Sequence, residues 1–118
     1  MHGVGLDLLD IARLERALER RPALGARLFS AGELAYAQAH ARPAQQLAAR
    51  FCAKEAVTKA LGLEVLRPRE IEVVRDAAGR PSARLAGAAQ RRAQELGVTV
   101  LLTLTHTATT AGAVAVAA

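Results

Sequence analysis

The run "RFCAKEAVTKALG", residues 50–62, sets Arg50, Lys54, Glu55 and Lys59 among apolar residues at helical spacing. Glu55 and Lys59 stand four apart, so on a helix they lie one above the other along a flank. Spacing alone makes them a surface ion pair, with Glu N-terminal to Lys in the favourable order. Asp7 is harder to treat as decoration. It sits inside "VGLDLLD" (4–10), a short apolar segment in which an acidic residue has low β propensity and, if buried, must find a partner. One reading gives Asp7 a cap or an arginine. The other brings Asp7 and Glu55 together from separate elements as two carboxylates for Mg²⁺, an ion held by one or two carboxylates plus water and substrate phosphates. His106 lies between threonines in "LTLTHT", and reads either as a structural histidine or as a donor to a phosphate.

Periodicity and turn signals outline the elements that must carry these residues. "VGLDLLD" alternates as a strand, Val4, Leu6 and Leu8 on one face and Gly5, Asp7 and Leu9 on the other. Asp10 is suited to cap a helix over "IARLERALERR", whose Ile11, Leu14 and Leu18 form a core face opposite a cationic row of Arg13, Arg16 and Arg20. "SAGE" (30–33) is a capping box that starts a helix running to about His40. Pro43 breaks the chain before a longer helix, from about Gln45 to Leu61, which packs by a stripe of Leu47, Phe51, Thr58 and Leu61 and is closed by Gly62. "REIEVVRD" (69–76) and "RPSARL" (80–85) flank the turn "DAAG" as a hairpin. "GAAQRRAQELG" (87–97) is a further helix, and "VTVLLTLTH" (98–106) pairs with "GAVAVAA" (112–118). The expected order is β-α-α-α-β-β-α-β-β, an α+β chain.

A chain of 118 residues, 52% of them hydrophobic, fits a single domain over 1–118 with one core. With 3% aromatic residues and no Trp, that core is built from Leu, Val and Ala. The net charge of +5 and a pI of about 10.6 point to an anionic partner. Cys52 is the only cysteine, which fits a reducing compartment. No stretch approaches the roughly 20 apolar residues of a membrane span, and the N-terminus has no signal-peptide pattern, so a cytoplasmic protein is expected.

Taken in order, these segments resemble the holo-acyl-carrier-protein synthases, the short bacterial class of 4′-phosphopantetheinyl transferases. "GVGLDLLDIARL" is similar to the family's opening G-x-D motif and its Arg-bearing helix, and "LFSAGE" to F-[ST]-x-x-E. "RFCAKEAVTKALG" matches the signature R-[FW]-x-x-K-E-A-x-x-K-A-x-G, "DAAGRP" the hairpin D-x-x-G-[KR]-P, and "LTLTHT" the strand ending in [ST]-H. The resemblance implies the 4′-phosphopantetheinyl transferase fold, an antiparallel sheet packed against a long central helix. It implies transfer of the phosphopantetheine arm from coenzyme A to an apo acyl carrier protein, in fatty acid synthesis or in polyketide synthesis. Asp7 and Glu55 are then Mg²⁺ ligands, Lys59 the catalytic-helix lysine near the phosphates, and Lys54 and His106 contributors to nucleotide phosphate binding. Pro81 lies along the bound cofactor, and Arg13 meets the acidic carrier protein, with Arg16 and Arg20 extending that row. The proton of the carrier serine goes either to water activated by the ion or to Glu55 directly. Arg50 supports that site or a neighbouring subunit, since the family assembles as homotrimers with sites at subunit boundaries. One departure stands out: after the catalytic helix the chain reads "LGLEVLRPREIEV", shorter than the family's Gly-rich G-T-G-I loop.

Two other classes compete. A small basic nucleic-acid-binding module agrees with the pI, but lacks stacking aromatics and any DNA-reading motif, and gives no reason for Asp7 or "KEAVTKALG". The other is a catalytically inert relative that keeps only the binding of a carrier protein.

Overall fold

Alanine takes six of the eighteen positions from Pro43 to Ala60, and this shapes how the chain folds around the segment. In the computed structural model, which describes residues 2–118, that segment is an 18-residue helix. In chain order the elements are β1 (Gly3–Asp10), α1 (Ile11–Arg20), α2 (Leu24–Leu28), α3 (Ala31–Gln38), α4 (Pro43–Ala60), a 3-10 turn (Pro68–Glu70), β2 (Ile71–Arg75), β3 (Pro81–Leu85), α5 (Gly87–Leu96), β4 (Val100–His106) and β5 (Thr110–Ala117). The expected α+β order holds with one addition. The five-residue helix α2 has no side-chain cap and no buried residue, so nothing in its own sequence announces it. Pro43 does not break the chain ahead of α4; it is the helix's first residue, where a missing N–H costs nothing.

Local caps form as their residues dictate. Asp10 accepts from Ala12 N at 3.2 Å at the start of α1. Ser30 and Glu33 exchange both bonds of a capping box at α3. Gly62, at φ +67°, supplies the left-handed residue after α4.

Strands β1, β5 and β4 form one antiparallel sheet in that order, with Asp7 opposite Ala113 and Ala113 opposite Leu104. β2 and β3 form a separate hairpin. α4 lies across the three-stranded sheet. It is buried on nearly all sides, by Ala44, Leu47, Ala48, Ala49, Cys52, Ala53, Ala56, Val57 and Ala60 among others. The expectation of a single packing stripe is therefore corrected: Phe51 is only half-buried, and the small alanines let neighbours close on every face.

The closest of those approaches involves β1. A Cβ on Gly3 would run into the carbonyl oxygen of Ala60, and one on Gly5 into that of Ala56. Only glycine lets the strand lie directly on the helix backbone. The packed face of β1 is therefore its small and acidic one, Gly3, Gly5, Asp7 and Leu9, whereas Val4, Leu6 and Leu8 are 61%, 58% and 66% exposed.

Candidate functional site

Because Gly3 and Gly5 press β1 onto α4, the next inward residue, Asp7, is carried to the helix flank that bears Glu55 and Lys59. Asp7 and Glu55 line one cleft of about 350 Å³ with Arg13, Leu14, Ala17, Leu28 and Phe51. Lys59 Nζ stands 3.5 Å from Asp7 Oδ1 and donates to the Leu6 carbonyl at 3.0 Å. Burial, then the Asp7 charge, push the Glu55 carboxyl above its ordinary value, with Lys59 opposing. Asp7 and Glu55 line this cleft together, with Lys59 paired to Asp7, so a small divalent cation would find two carboxylates there. Among the described residues no group of three or more His, Cys, Asp or Glu could hold a metal. The pair therefore suits an ion that takes the rest of its shell from water and substrate oxygens, as Mg²⁺ does.

Cys52, on the same helix, is fully buried and donates to the Ala111 carbonyl at 3.6 Å. Burial and the Asp7 charge push its thiol up to about 12, so it is no nucleophile at neutral pH.

Lys54 lies elsewhere. Its ammonium is fully enclosed and spends all three donors, on Glu33 Oε1 at 2.8 Å, the Pro68 carbonyl at 2.7 Å and the Ile71 carbonyl at 2.5 Å. Glu33 also receives Ser30 N at 2.9 Å and Val73 N at 2.8 Å. This knot ties α3 and the β2–β3 hairpin to α4. The expectation that Lys54 binds nucleotide phosphates is corrected: it has no donor left to give and no path to solvent. A sequence cannot separate Lys54 from Lys59, because five residues along a helix turn them about 140° apart and only the packing decides which side is interior.

His106 and Pro81 line a second cleft of about 260 Å³, with Gln46, Ala49, Arg50, Arg75 and Leu104. It shares no lining residue with the first. Gln46 of the second cleft and Glu55 of the first, nine apart on α4, point about 180° away from each other, so the two clefts flank opposite sides of the helix. Arg50 is 4% exposed, and among the described residues its Nε is the only buried side-chain nitrogen or oxygen without a hydrogen-bond partner. Arg75 was not among the expected site residues; as a β2 residue before an ordinary turn it carried no signal, and it is the hairpin that brings it here.

Of the cationic row, Arg13 reaches the first cleft, while Arg16 and Arg20 stand exposed along the same face of α1. Ile11 and Leu14 bury the opposite face. No described helix is long and apolar enough to cross a membrane.

Comparison with known proteins gives this arrangement a context. Residues 3–115 match the family model of the 4′-phosphopantetheinyl transferase superfamily. Holo-[acyl-carrier-protein] synthase of Moorella thermoacetica is 46% identical over 114 residues, covering 94% of this chain and 89% of its own. The crystal structure of holo-[acyl-carrier-protein] synthase from Neisseria meningitidis superposes with a TM-score of 0.89 at 29% identity, over 100% of this chain and 98% of that one. That of the Bacillus anthracis synthase in complex with CoA (3′,5′-ADP) gives 0.77 at 28% identity, over 98% and 95%.

Proposed function

This chain belongs to the 4′-phosphopantetheinyl transferase superfamily, and from that premise we propose that it acts as a holo-[acyl-carrier-protein] synthase. It moves the 4′-phosphopantetheine arm of coenzyme A to a serine hydroxyl of an apo acyl carrier protein and releases adenosine 3′,5′-bisphosphate. The observation that carries this reading is the cleft that Asp7, Glu55 and Arg13 line together, with Lys59 paired to Asp7. A module that only binds nucleic acid has no use for two carboxylates lining one cleft.

Asp7 and Glu55 are the residues that would hold Mg²⁺, which when bound supplies positive charge to the diphosphate and to the departing oxygen. The serine oxygen forms a bond to the phosphorus of the arm, the bond from that phosphorus to the bisphosphate breaks, and the serine proton must be taken up. Glu55, which lines the cleft with Asp7, accepts it directly or relays it through one water. Lys59, exposed beside Asp7, neutralises phosphate charge as a point cation. Arg13, Arg16 and Arg20 present a positive row to an acidic carrier protein, which speeds encounter and selects the partner.

Coenzyme A must also reach the second cleft, where Arg50 and Arg75 gather positive charge beside Pro81 and His106. The two clefts lie on opposite flanks of α4, and in this reading the first cleft of one copy joins the second cleft of another as one site. The outer face of the sheet supports such an assembly. Val4 is paired with Val116 and Val116 with Leu101, and Leu6 with Val114, in an apolar patch that no helix covers. A homotrimer over the single domain 1–118, in the cytoplasm and serving fatty acid synthesis, completes the reading.

The test is mass spectrometry of an apo acyl carrier protein after incubation with the chain, coenzyme A and Mg²⁺. A gain of one phosphopantetheine is expected. Carrier that is bound but unmodified would leave the chain an inert carrier-binding relative.

A further inference from the structure

Arg50 and Arg75 share the second cleft, yet no carboxylate lies between them. Glu72, the nearest acid lining the adjoining groove with Gly32 and Tyr36, is committed: it receives Ser30 Oγ at 2.5 Å and Arg84 Nη1 at 3.2 Å. Glu33 is committed to Lys54. Each guanidinium instead rests on Tyr36 of α3. Arg50 Cζ lies 3.9 Å from the ring centroid and Arg75 Cζ 4.9 Å. Arg75 donates to the Tyr36 hydroxyl through both Nε, at 3.0 Å, and Nη2, and its Nη1 meets the Gly79 carbonyl. His40 leans on the ring at 4.5 Å and anchors by Nδ1 to the Tyr36 carbonyl at 2.8 Å.

Two cations are thus held close by an aromatic face and one hydroxyl, with Arg50 Nε unpaired and only a 3.5 Å contact from its Nη1 to the Gln46 carbonyl. The π face and hydroxyl orient the pair without neutralising it. A doubly charged tetrahedral oxyanion is what two guanidinium forks accept most tightly. In coenzyme A the diphosphate belongs to the carboxylate cleft, where the bond is broken, which leaves the phosphate monoester on the ribose for the arginine pair. We infer that Tyr36 is a positioning residue. Its ring and hydroxyl hold Arg50 and Arg75 at the spacing that takes up this monoester, and so set the preference for coenzyme A over its 3′-dephospho form. The inference rests on the transferase reading and deepens it.

Steady-state kinetics of the full chain test it, with coenzyme A and with 3′-dephospho-coenzyme A as donors, for wild type, Tyr36→Phe and Tyr36→Leu. Tyr36→Phe keeps the ring under both arginines and removes the hydroxyl to which Arg75 donates. It is expected to raise KM for coenzyme A about 10-fold, through loss of the two hydrogen bonds that Arg75 makes to the hydroxyl. Tyr36→Leu removes both supports and raises that KM further. For both variants the change falls on KM for coenzyme A, while KM for the dephospho donor and for the carrier protein stays within about twofold. A packing defect would raise all three or lower kcat. A wild-type chain that transfers nothing overturns the activity and this inference together. An active wild type whose Tyr36→Leu variant keeps the same KM ratio between the two donors overturns the inference alone.

Discussion

At the scale of single residues, Glu55 trades stability for charge. Its carboxyl is raised from 4.5 by burial and by Asp7. A raised carboxyl binds its proton more tightly folded than unfolded, so its contribution to stability is complete below 4.5 and is lost as pH rises through the folded value. In the absence of divalent ions, Glu55→Gln should therefore melt above wild type at about pH 7, and the gap should close towards about pH 4. The same variant should lose transfer by about 10²-fold or more. Thermal unfolding across pH checks the first; a variant less stable than wild type throughout would make Glu55 a satisfied structural group. The two lysines give the matching contrast. Lys54→Met strands Glu33 in the interior and should cost about 3–5 kcal/mol in denaturant unfolding. Lys59→Met removes an exposed ammonium, should change stability by less than about 1 kcal/mol, and should depress transfer.

At the scale of elements, the site depends on how closely β1 lies on α4. Gly5 abuts the Ala56 carbonyl and Gly3 the Ala60 carbonyl, so the strand's height above the helix is set by two missing side chains. Gly5→Ala must lift β1, at about 1–3 kcal/mol of overpacking. Asp7 moves with the strand, so transfer should fall further than the loss of folded protein accounts for. Activity at a temperature well below the variant's midpoint separates the two effects. The hairpin is held differently, through a buried ion pair and its hydrogen bonds to Pro68, Ile71 and Val73. That knot brings Arg75 and Pro81 to the second cleft without making Lys54 part of it.

At the scale of the whole molecule, two clefts on opposite flanks of one helix and an uncovered apolar sheet face are what support the proposed assembly. Leu6→Glu puts a charge in the middle of that face without touching the core, since Leu6 is 58% exposed. Sedimentation should show a smaller species with unchanged secondary structure, and transfer should fall roughly tenfold or more, about 1.4 kcal/mol. An unchanged assembly with full activity would remove the outer face from the interface and leave the composite site without support.

The sequence alone determined what depends on neighbours within a turn or a pair of strands: the Asp10 cap, the Ser30–Glu33 box, the left-handed Gly62, and the hairpin at Gly79, where Asp76 accepts from Ala78 N and Arg80 N at 2.9 Å. It also carried the motif residues Asp7, Glu55 and Lys59, whose types and order survive as a pattern without their geometry. Only the tertiary structure decided which face of β1 packs, which of two lysines on one helix is caged, and that Arg50 and Arg75 meet over Tyr36. Capping and turn geometry are local, whereas burial and pairing are settled by elements tens of residues away, where no period or spacing in the chain records the contact.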